Sequence, residues 1–303
     1  MNFETYFSIS TDPYYYTAIL VDFVILFALL VLVRQVFGRT AGSVDTTHEL
    51  SEKDNHAFGI SLAGATIALS IVFAGVAAGD VATSLMIEAA FVLGYGLLGI
   101  VFLVCTRLVF DKISFPKTDL RKLISENNIA AGILDAGNMI ATATIIFGVF
   151  AWSNGDWVAS IGIVVLMFII TQVLLVAASR YRVILFAKRN NGKAFCDAIT
   201  EGNSALALRF AGFQIGAALA MSLAGALVTF QDGENTFVSI GAWVLVAVVL
   251  FAVVVLLTTI LEKVVLYGIP VAREVDSEKN FGVAAVEAGV YVGLGLLLLS
   301  LLS

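Results

Sequence analysis

Eight long apolar segments constrain this chain more than any other feature of its sequence. They cover approximately residues 15–37, 56–78, 84–109, 128–151, 157–179, 203–229, 237–261 and 280–302. Each is long enough to cross about 30 Å of hydrocarbon as a helix. The segments are continuously apolar and only 13% of all residues are charged, which favours neither a β-barrel nor a water-soluble domain. The sequence therefore predicts an all-α membrane protein with eight transmembrane helices.

The basic residues predict the orientation of these helices. Sixteen of the seventeen Lys and Arg residues lie in four connecting segments, 34–54, 107–127, 180–202 and 262–279, and the exception is Arg209. The opposite side carries acidic residues and no basic ones: Glu4, Asp12, Asp80, Asp156, Asp232 and Glu234. Since basic loops remain in the cytoplasm, we expect both termini to lie outside a bacterial inner membrane. The basic segments are expected to contact anionic lipid and no nucleic acid.

A fourfold internal repeat organises the chain. Four asparagines are each followed by a glycine nine residues later: Asn55 and Gly64, Asn128 and Gly137, Asn203 and Gly212, Asn280 and Gly289. Three arginines, Arg34, Arg107 and Arg182, each lie 21 residues before their asparagine. Each repeat is therefore expected to contain a helix that enters the cytoplasm, a basic segment and a returning helix. The prediction is four like-oriented helical hairpins with both ends of the chain outside.

The returning helix of every repeat has a ridge of small residues in line with its asparagine. In the second repeat the ridge is Asn128, Gly132, Ala136 and Ile140, which are spaced by four and share one face. Such small-xxx-small ridges let helix backbones approach closely in lipid. We therefore expect the four returning helices to pack inward and the bulkier first helices to face lipid more often. The asparagine amide is expected to bond a neighbouring helix end or a backbone carbonyl.

The motif Asn128-Ile-Ala-Ala-Gly132, with a glycine nine residues after each asparagine, resembles the YjfL-like bacterial inner-membrane proteins. That family is of unknown function, and its members usually contain two such hairpins. The resemblance implies that this chain is two copies fused in tandem, at residues 1–150 and 151–303. It is weaker in the third and fourth repeats, which begin NSALA and NFGVA. It supplies no catalytic residues, and the genes that accompany family members imply a role in envelope physiology.

Acidic side chains within the apolar segments are candidates for function, because charge inside a bilayer is costly. Asp135 and Glu287 both lie seven residues after their repeat asparagine, where the other repeats have Leu62 and Phe210. This alternation indicates two pseudo-twofold halves. We expect the two carboxylates to meet in a shared hydrated interior and to bind protons or cations. The alternative is that they are protonated, hydrogen-bonded between helices and structural. Glu88 is expected at a solvated helix end.

Other polar residues in the segments support this site. Asp22 lies near mid-membrane, about 18 Å along its helix from Arg34, and is a third ion or proton candidate. Arg209 either extends to the cytoplasmic headgroups or forms a salt bridge to one of the acids. Asn138 and Gln214 either extend a polar path or tie helices together. The repeat asparagines complete the supporting set: Asn55, Asn128, Asn203 and Asn280.

Two functions remain open. The first is a cation- or proton-coupled transporter or channel that uses the buried carboxylates, since like-oriented repeats around a pathway occur in transporters. The second is a membrane scaffold or sensor, linked to envelope stress, that binds a cytoplasmic partner or lipid. We expect no enzymatic activity, because the sequence contains no nucleophile–base or metal-binding constellation, and no cofactor. A homo-oligomer and a cytoplasmic membrane-stress partner are both compatible with the sequence.

Overall fold

The computed structural model describes residues 12–40, 45–77, 81–116, 118–152, 157–231 and 233–302. Within these residues there are eight helices long and apolar enough to cross a membrane, and no strand. They are α1 (Pro13–Thr40), α2 (His56–Ala77), α3 (Leu85–Val109), α4 (Ile129–Trp152), α5 (Trp157–Arg189), α6 (Ser204–Ser222), α7 (Thr236–Val265) and α8 (Phe281–Leu302). The predicted eight helices are thus confirmed. The predicted outer acids Glu4, Asp80, Asp156 and Asp232, with the side chain of Glu234, lie outside the described residues.

Several helical segments run beyond, or break before, the ends that hydropathy predicts. α5 is predicted to end at residue 179 but runs to Arg189, because the apolar residues 183–186 continue the helix beyond the first arginines. α3 contains Arg107 and continues as a π-helical turn, Phe110–Ser114. α6 ends at Ser222 and is followed by the separate turn Ala224–Leu227. Basic residues that were expected in loops therefore project from helices.

Each returning helix is preceded by a short helical segment and a sharp turn. The segments are the π-helical turn His48–Glu52 and the α-helices Leu120–Ser125, Phe195–Thr200 and Val271–Asp276. The residue before each repeat asparagine has a left-handed backbone, with φ between 48° and 74°: Asp54, Asn127, Gly202 and Lys279. This conformation ends one helix and redirects the chain. The asparagine can then begin the next helix.

Each repeat asparagine caps its own helix, and the first three also bind the following repeat. Their Oδ1 atoms accept hydrogen bonds of 2.9–3.2 Å from the backbone N–H three residues on. The Nδ2 atoms of Asn55, Asn128 and Asn203 donate to the carbonyls of Ile124, Ile199 and Val275, at 3.0, 2.9 and 3.1 Å. Asn280 donates to Glu274 of its own repeat. The predicted bond to a neighbouring helix end is therefore confirmed in three repeats.

The returning helices α2, α4, α6 and α8 form a row in which each packs along the next. The same contact recurs three times, with a glycine of one helix facing an alanine of the next: Gly64 and Ala136, Gly137 and Ala211, Gly212 and Ala288. A methyl group added to any of these glycines would overlap its alanine. The close approach of the helices thus depends on the missing side chain. The first helices α1, α3, α5 and α7 flank the row.

Burial is greatest in the middle of the row. In the most apolar stretch of α4 and of α6, 78% of the residues are buried, compared with 50% in α2 and 22% in α8. Among the first helices this share ranges from 17% in α1 to 44% in α3. The expectation that returning helices face inward is confirmed for α4 and α6. α8 instead lies at an end of the row.

Candidate functional site

The two predicted acids lie at matching contacts of the row. Asp135 on α4 faces α2, where the Ser61 hydroxyl donates a hydrogen bond to its Oδ2 atom. Glu287 on α8 faces α6, where Arg209 Nε donates to its Oε1 atom at 2.7 Å. Ser61 and Arg209 both lie six residues after their repeat asparagine, and each acid lies seven residues after its own. The same two repeat positions therefore supply the polar contact in both halves.

Asp135 forms an ion pair with Arg107, which the sequence assigns to a basic connecting segment. Arg107 Nη2 lies 3.0 Å from Asp135 Oδ2, and the Asp135 side chain is only 1% exposed. Arg107 Nη1 donates to Thr40 Oγ1 at 3.0 Å, and the guanidinium lies 5.8 Å from the centroid of the Phe37 ring. An ionised carboxylate without a cation is costly in a low-dielectric interior. Arg107 therefore allows Asp135 to be buried in its charged form.

Glu287 belongs to a larger cluster of charges. Arg209 bridges Glu287 and Asp276, which ends the short helix before α8, with N–O distances of 2.7 and 3.1 Å. Arg182 on α5 lies 3.8 Å from the same Glu287 oxygen, and its Nη1 donates to the Tyr291 hydroxyl at 3.0 Å. The Glu287 side chain is completely buried. Of the two interpretations of Arg209, the salt bridge is confirmed.

A second glutamate, Glu262 near the end of α7, lies close to both Glu287 and Tyr291. The Oε1 atom of Glu262 and the Oε2 atom of Glu287 are buried, and neither has a hydrogen-bond donor among the described residues. Two ionised carboxylates cannot donate to each other, so a shared proton or a small cation would satisfy both oxygens. This pair is therefore a candidate proton or cation site.

Asp135 and Glu287 do not share an interior. α6 lies between the helices that carry them, and no hydrogen bond or ion pair in the described parts of the chain joins the two clusters. At the intervening contact of the row, Phe210 occupies the repeat position of the acids. Its ring centroid lies 5.1 Å from that of Phe195 and 5.7 Å from that of Phe115. The expected meeting of the acids is therefore wrong, because aromatic side chains fill the region between the clusters.

A small cleft lies beside each cluster, with about 10 Å³ of space inside it. The charged residues that line the first are Arg107, Asp111, Arg121 and Asp135, and those that line the second are Arg182, Arg189, Arg209 and Asp276. Arg107 and Arg182 occupy the same repeat position, so the clefts are corresponding sites. A single water needs roughly 10–15 Å³ of such space, whereas pockets for organic ligands are far larger. These clefts are better suited to water or a small ion.

Further polar side chains follow Asp135 along α4. Asn138 and Thr142 lie three and seven residues further on, and therefore on the same face of the helix. Both are buried, and Asn138 Nδ2 and Thr142 Oγ1 have no hydrogen-bond partner among the residues that the structure describes. Gln214 Nε2 instead donates to Ser179 Oγ at 3.0 Å and joins α6 to α5. The tie between helices is thus confirmed for Gln214, although its Oε1 atom also has no partner in the described residues, and the two alternatives for Asn138 stay predictions.

Asp22 lies apart from both clusters. It is half-buried on α1, within electrostatic range of Glu88, and its Oδ1 atom has no hydrogen-bond partner in the described ranges. Glu88 is itself only 6% exposed, and its Oε2 atom accepts a hydrogen bond from the Ala82 N–H at 2.6 Å. The expectation of a solvated Glu88 is therefore wrong. The structure does not bring Asp22 together with Asp135 or Glu287.

Four charged residues of the clusters are not predicted by the sequence: Arg107, Arg182, Glu262 and Asp276. All lie near the end of an apolar segment or in a basic one, where hydropathy does not show which way a side chain points. The repeat register was a usable signal for two of them, because Arg34, Arg107 and Arg182 occupy one position. Arg34, however, is exposed and donates to Thr47. The repeat register therefore identifies the position of these arginines but not the residues with which they pair.

A family described as Domain of Unknown Function (DUF350) matches residues 10–150, 85–219 and 156–302. The first match covers α1–α4, the second α3–α6 and the third α5–α8, so successive matches are shifted by two helices. The second match crosses residue 150, the predicted boundary between the halves, and the tandem division remains a prediction. Neither a curated protein nor a solved structure matches the chain.

Proposed function

We propose that this chain, which belongs to the DUF350 family of unknown function, is a cation- or proton-coupled transporter or channel. The main support is the Glu262–Glu287 pair, in which two buried carboxyl oxygens lack a donor among the described residues. Ionisable groups inside a membrane are functional candidates because their burial is costly. A pair of carboxyl groups that accepts one proton or cation suits reversible binding during transport.

The charges around Glu287 point to uptake of one positive charge. Three carboxyl groups, those of Glu287, Asp276 and Glu262, surround two arginines, Arg182 and Arg209. If all five were ionised, the cluster would carry one net negative charge. Arg189 also lines the cleft, is exposed, and lies within electrostatic range of Asp276 and Glu287. A single proton or monovalent cation would neutralise the other five groups, taken without Arg189.

The Asp135 cluster has a different role in this proposal. Its one carboxylate is already paired with Arg107, so a cation enters only when that ion pair opens. Beyond it lie the unpartnered atoms of Asn138 and Thr142. Buried polar atoms of this kind are usually satisfied by water. We assign the start of the hydrated path in the first half to this face of α4.

We further propose the orientation and organisation of the chain. It lies in a bacterial inner membrane as four like-oriented hairpins, with both termini outside and the basic segments in the cytoplasm. In this orientation both arginine-lined clefts open towards the cytoplasm. The halves, residues 1–150 and 151–303, are two YjfL-like units in tandem, and the chain has no enzymatic activity. Accessibility of single cysteines to an impermeant reagent tests the orientation.

Flux measurements in proteoliposomes test the function. Vesicles of phosphatidylethanolamine and phosphatidylglycerol, with an internal pH-sensitive dye and an imposed inside-negative potential, should acidify faster with wild-type protein than without it. Glu287→Gln preserves the size of the side chain but removes its acid group, so it should abolish this flux. Asp135→Asn should reduce it. The matched control is Glu278→Gln, which changes a glutamate that bonds Arg273 at the protein surface and should leave the flux unchanged.

Each outcome of this experiment is decisive for the proposal. Wild-type vesicles as tight to protons, Na⁺ and K⁺ as protein-free vesicles would overturn it and favour the scaffold function. Flux that survives Glu287→Gln would remove Glu287 from the pathway. The buried tryptophans Trp152 and Trp243 report through their fluorescence whether each variant is folded.

A further inference from the structure

The row of returning helices ends with two complementary faces. Gly289 on α8 corresponds to the glycines of the three internal contacts, but a side chain there would meet nothing within 4 Å in the described structure. Ala63 on α2 corresponds to the alanines of those contacts, and it is exposed whereas Ala136, Ala211 and Ala288 are buried. α8 therefore presents the glycine half of the contact and α2 presents the alanine half.

At α8, one hydrogen bond of the contact between repeats is missing. Asn55 Nδ2 donates to Glu49 of its own repeat at 2.9 Å and to the Ile124 carbonyl of the next repeat at 3.0 Å. Asn280 Nδ2 makes the first of these bonds, to Glu274 at 2.8 Å. Its second hydrogen has no acceptor in the parts of the chain that the structure describes. Asn280 thus has the arrangement of Asn55 without a following repeat.

We propose that α8 of one copy of this chain packs against α2 of a second copy and continues the row between molecules. Gly289 then lies on Ala63 of the second copy. The remaining Asn280 amide hydrogen bonds a carbonyl at the end of the second copy's His48–Glu52 segment, which corresponds to the three segments that accept this bond within the chain. The contact is head-to-tail, and it forms a ring or an open chain according to the rotation between copies.

A second copy fits these faces better than lipid or an unrelated helix. An exposed ridge of small residues gains more van der Waals contact from a close helix than from mobile acyl chains. The asparagine donor and the carbonyl segment, moreover, are spaced along their helices as in the three contacts within the chain. The contact geometry that joins repeats within the chain would therefore also join α8 of one copy to α2 of the next, and no other kind of contact is needed.

The polar pattern of the row also continues across the proposed contact. Within the chain, the residue six positions after one repeat asparagine faces the residue seven positions after the next. The three pairs are Ser61 with Asp135, Leu134 with Phe210, and Arg209 with Glu287. At the contact between copies they are Val286 of one copy and Leu62 of the next. Val286 is 42% exposed in the single chain. Polar and apolar contacts therefore alternate throughout the assembly, and no charge is buried there without a partner.

Cysteine cross-linking tests this contact. The positions of Leu62 and Val286 correspond to those of Asp135 and Ser61, whose side chains are hydrogen-bonded. With the native Cys105 and Cys196 replaced by alanine, the protein with both Leu62→Cys and Val286→Cys should form a ladder of disulfide-linked multimers when its membranes are oxidised. Each single substitution should give no cross-link, because a head-to-tail contact does not bring two copies of one residue together.

A leucine substitution gives the second readout. Gly289→Leu should reduce the cross-linked fraction roughly tenfold, which corresponds to about 1.4 kcal/mol of association free energy, because its side chain would overlap Ala63 of the next copy. Gly241→Leu is the matched control on α7, since Gly241 is also exposed with nothing within 4 Å. It should leave the ladder unchanged.

Three results would overturn the proposal: no ladder from the double variant, cross-linked dimers from either single variant, or equal effects of the two leucines. Tryptophan fluorescence checks that both leucine variants are folded. Cross-linking does not depend on ion flux, so this inference and the proposed function succeed or fail separately.

Discussion

Replacing Arg107 with methionine is expected to destabilise the protein much more than neutralising its partner. In Arg107→Met, the Asp135 carboxylate would stay buried with Ser61 as a donor but no cation. Removing one partner of a buried ion pair costs about 3–5 kcal/mol of unfolding free energy. In Asp135→Asn, the Arg107 guanidinium also loses its anion, but it keeps Thr40 as a hydrogen-bond acceptor and the Phe37 ring beside it, and the amide oxygen still accepts from Ser61. We expect this loss to be about 1–2 kcal/mol.

The double variant separates the ion pair from the other contacts of its members. Arg107→Met combined with Asp135→Asn leaves no uncompensated charge, so it should be more stable than Arg107→Met alone. The coupling free energy should be about 2–3 kcal/mol, near the upper end of values for residues in direct contact. The matched control is Arg121→Met, which changes an exposed arginine that lines the same cleft. It should lie within about 0.5 kcal/mol of wild type.

Equilibrium unfolding in mixed micelles measures these differences. Trp152 and Trp243 are 4% and 0% exposed, with ring centroids 6.4 Å apart, so their fluorescence should change when the helices separate. Additive losses in the double variant would refute the reasoning. That result would mean that Asp135 is protonated in the folded protein and that Arg107 does not act as its counter-charge.

Two further predictions concern the repeat contacts and the orientation. Asn128→Ser keeps an N-cap oxygen but removes the amide that donates to the Ile199 carbonyl, so we expect a loss of about 1 kcal/mol of unfolding free energy; stability equal to wild type would contradict a contribution from this bond. In a background without Cys105 and Cys196, an impermeant maleimide should label a cysteine at Gln231 in intact cells and one at Lys193 only after the membrane is opened. The reverse labelling would overturn the proposed orientation.

Features that depend on a single helix could be predicted from the sequence. The eight helices follow from the length of the apolar segments. The glycine and alanine ridge follows from spacing on one face, which is the same in any α-helix. None of these features requires knowledge of which helices are neighbours.

Features that depend on the arrangement of helices could not be predicted. Arg107 and Arg182 contribute to the positive charge near the cytoplasmic side, but a count of charges does not show that their side chains turn inward to Asp135 and Glu287. The separation of these two acids has a related cause. In a closed bundle, equivalent faces converge on one axis, so equivalent acids meet there. In a row, each equivalent face contacts the next helix, and the acids lie at separate contacts.

In a row of returning helices, a longer chain has more glycine–alanine contacts, but each contact has the same structure. A chain of two hairpins of this kind would contain one glycine–alanine contact and two open faces, whereas this chain contains three contacts and two open faces. Its middle contact, Gly137 with Ala211, has the same construction as the outer two. This equivalence accounts for overlapping family matches at 10–150, 85–219 and 156–302, since any two adjacent hairpins present the same pattern. Lengthening the row stabilises its interior but leaves Ala63 and Gly289 uncovered, so a longer chain does not replace assembly between copies.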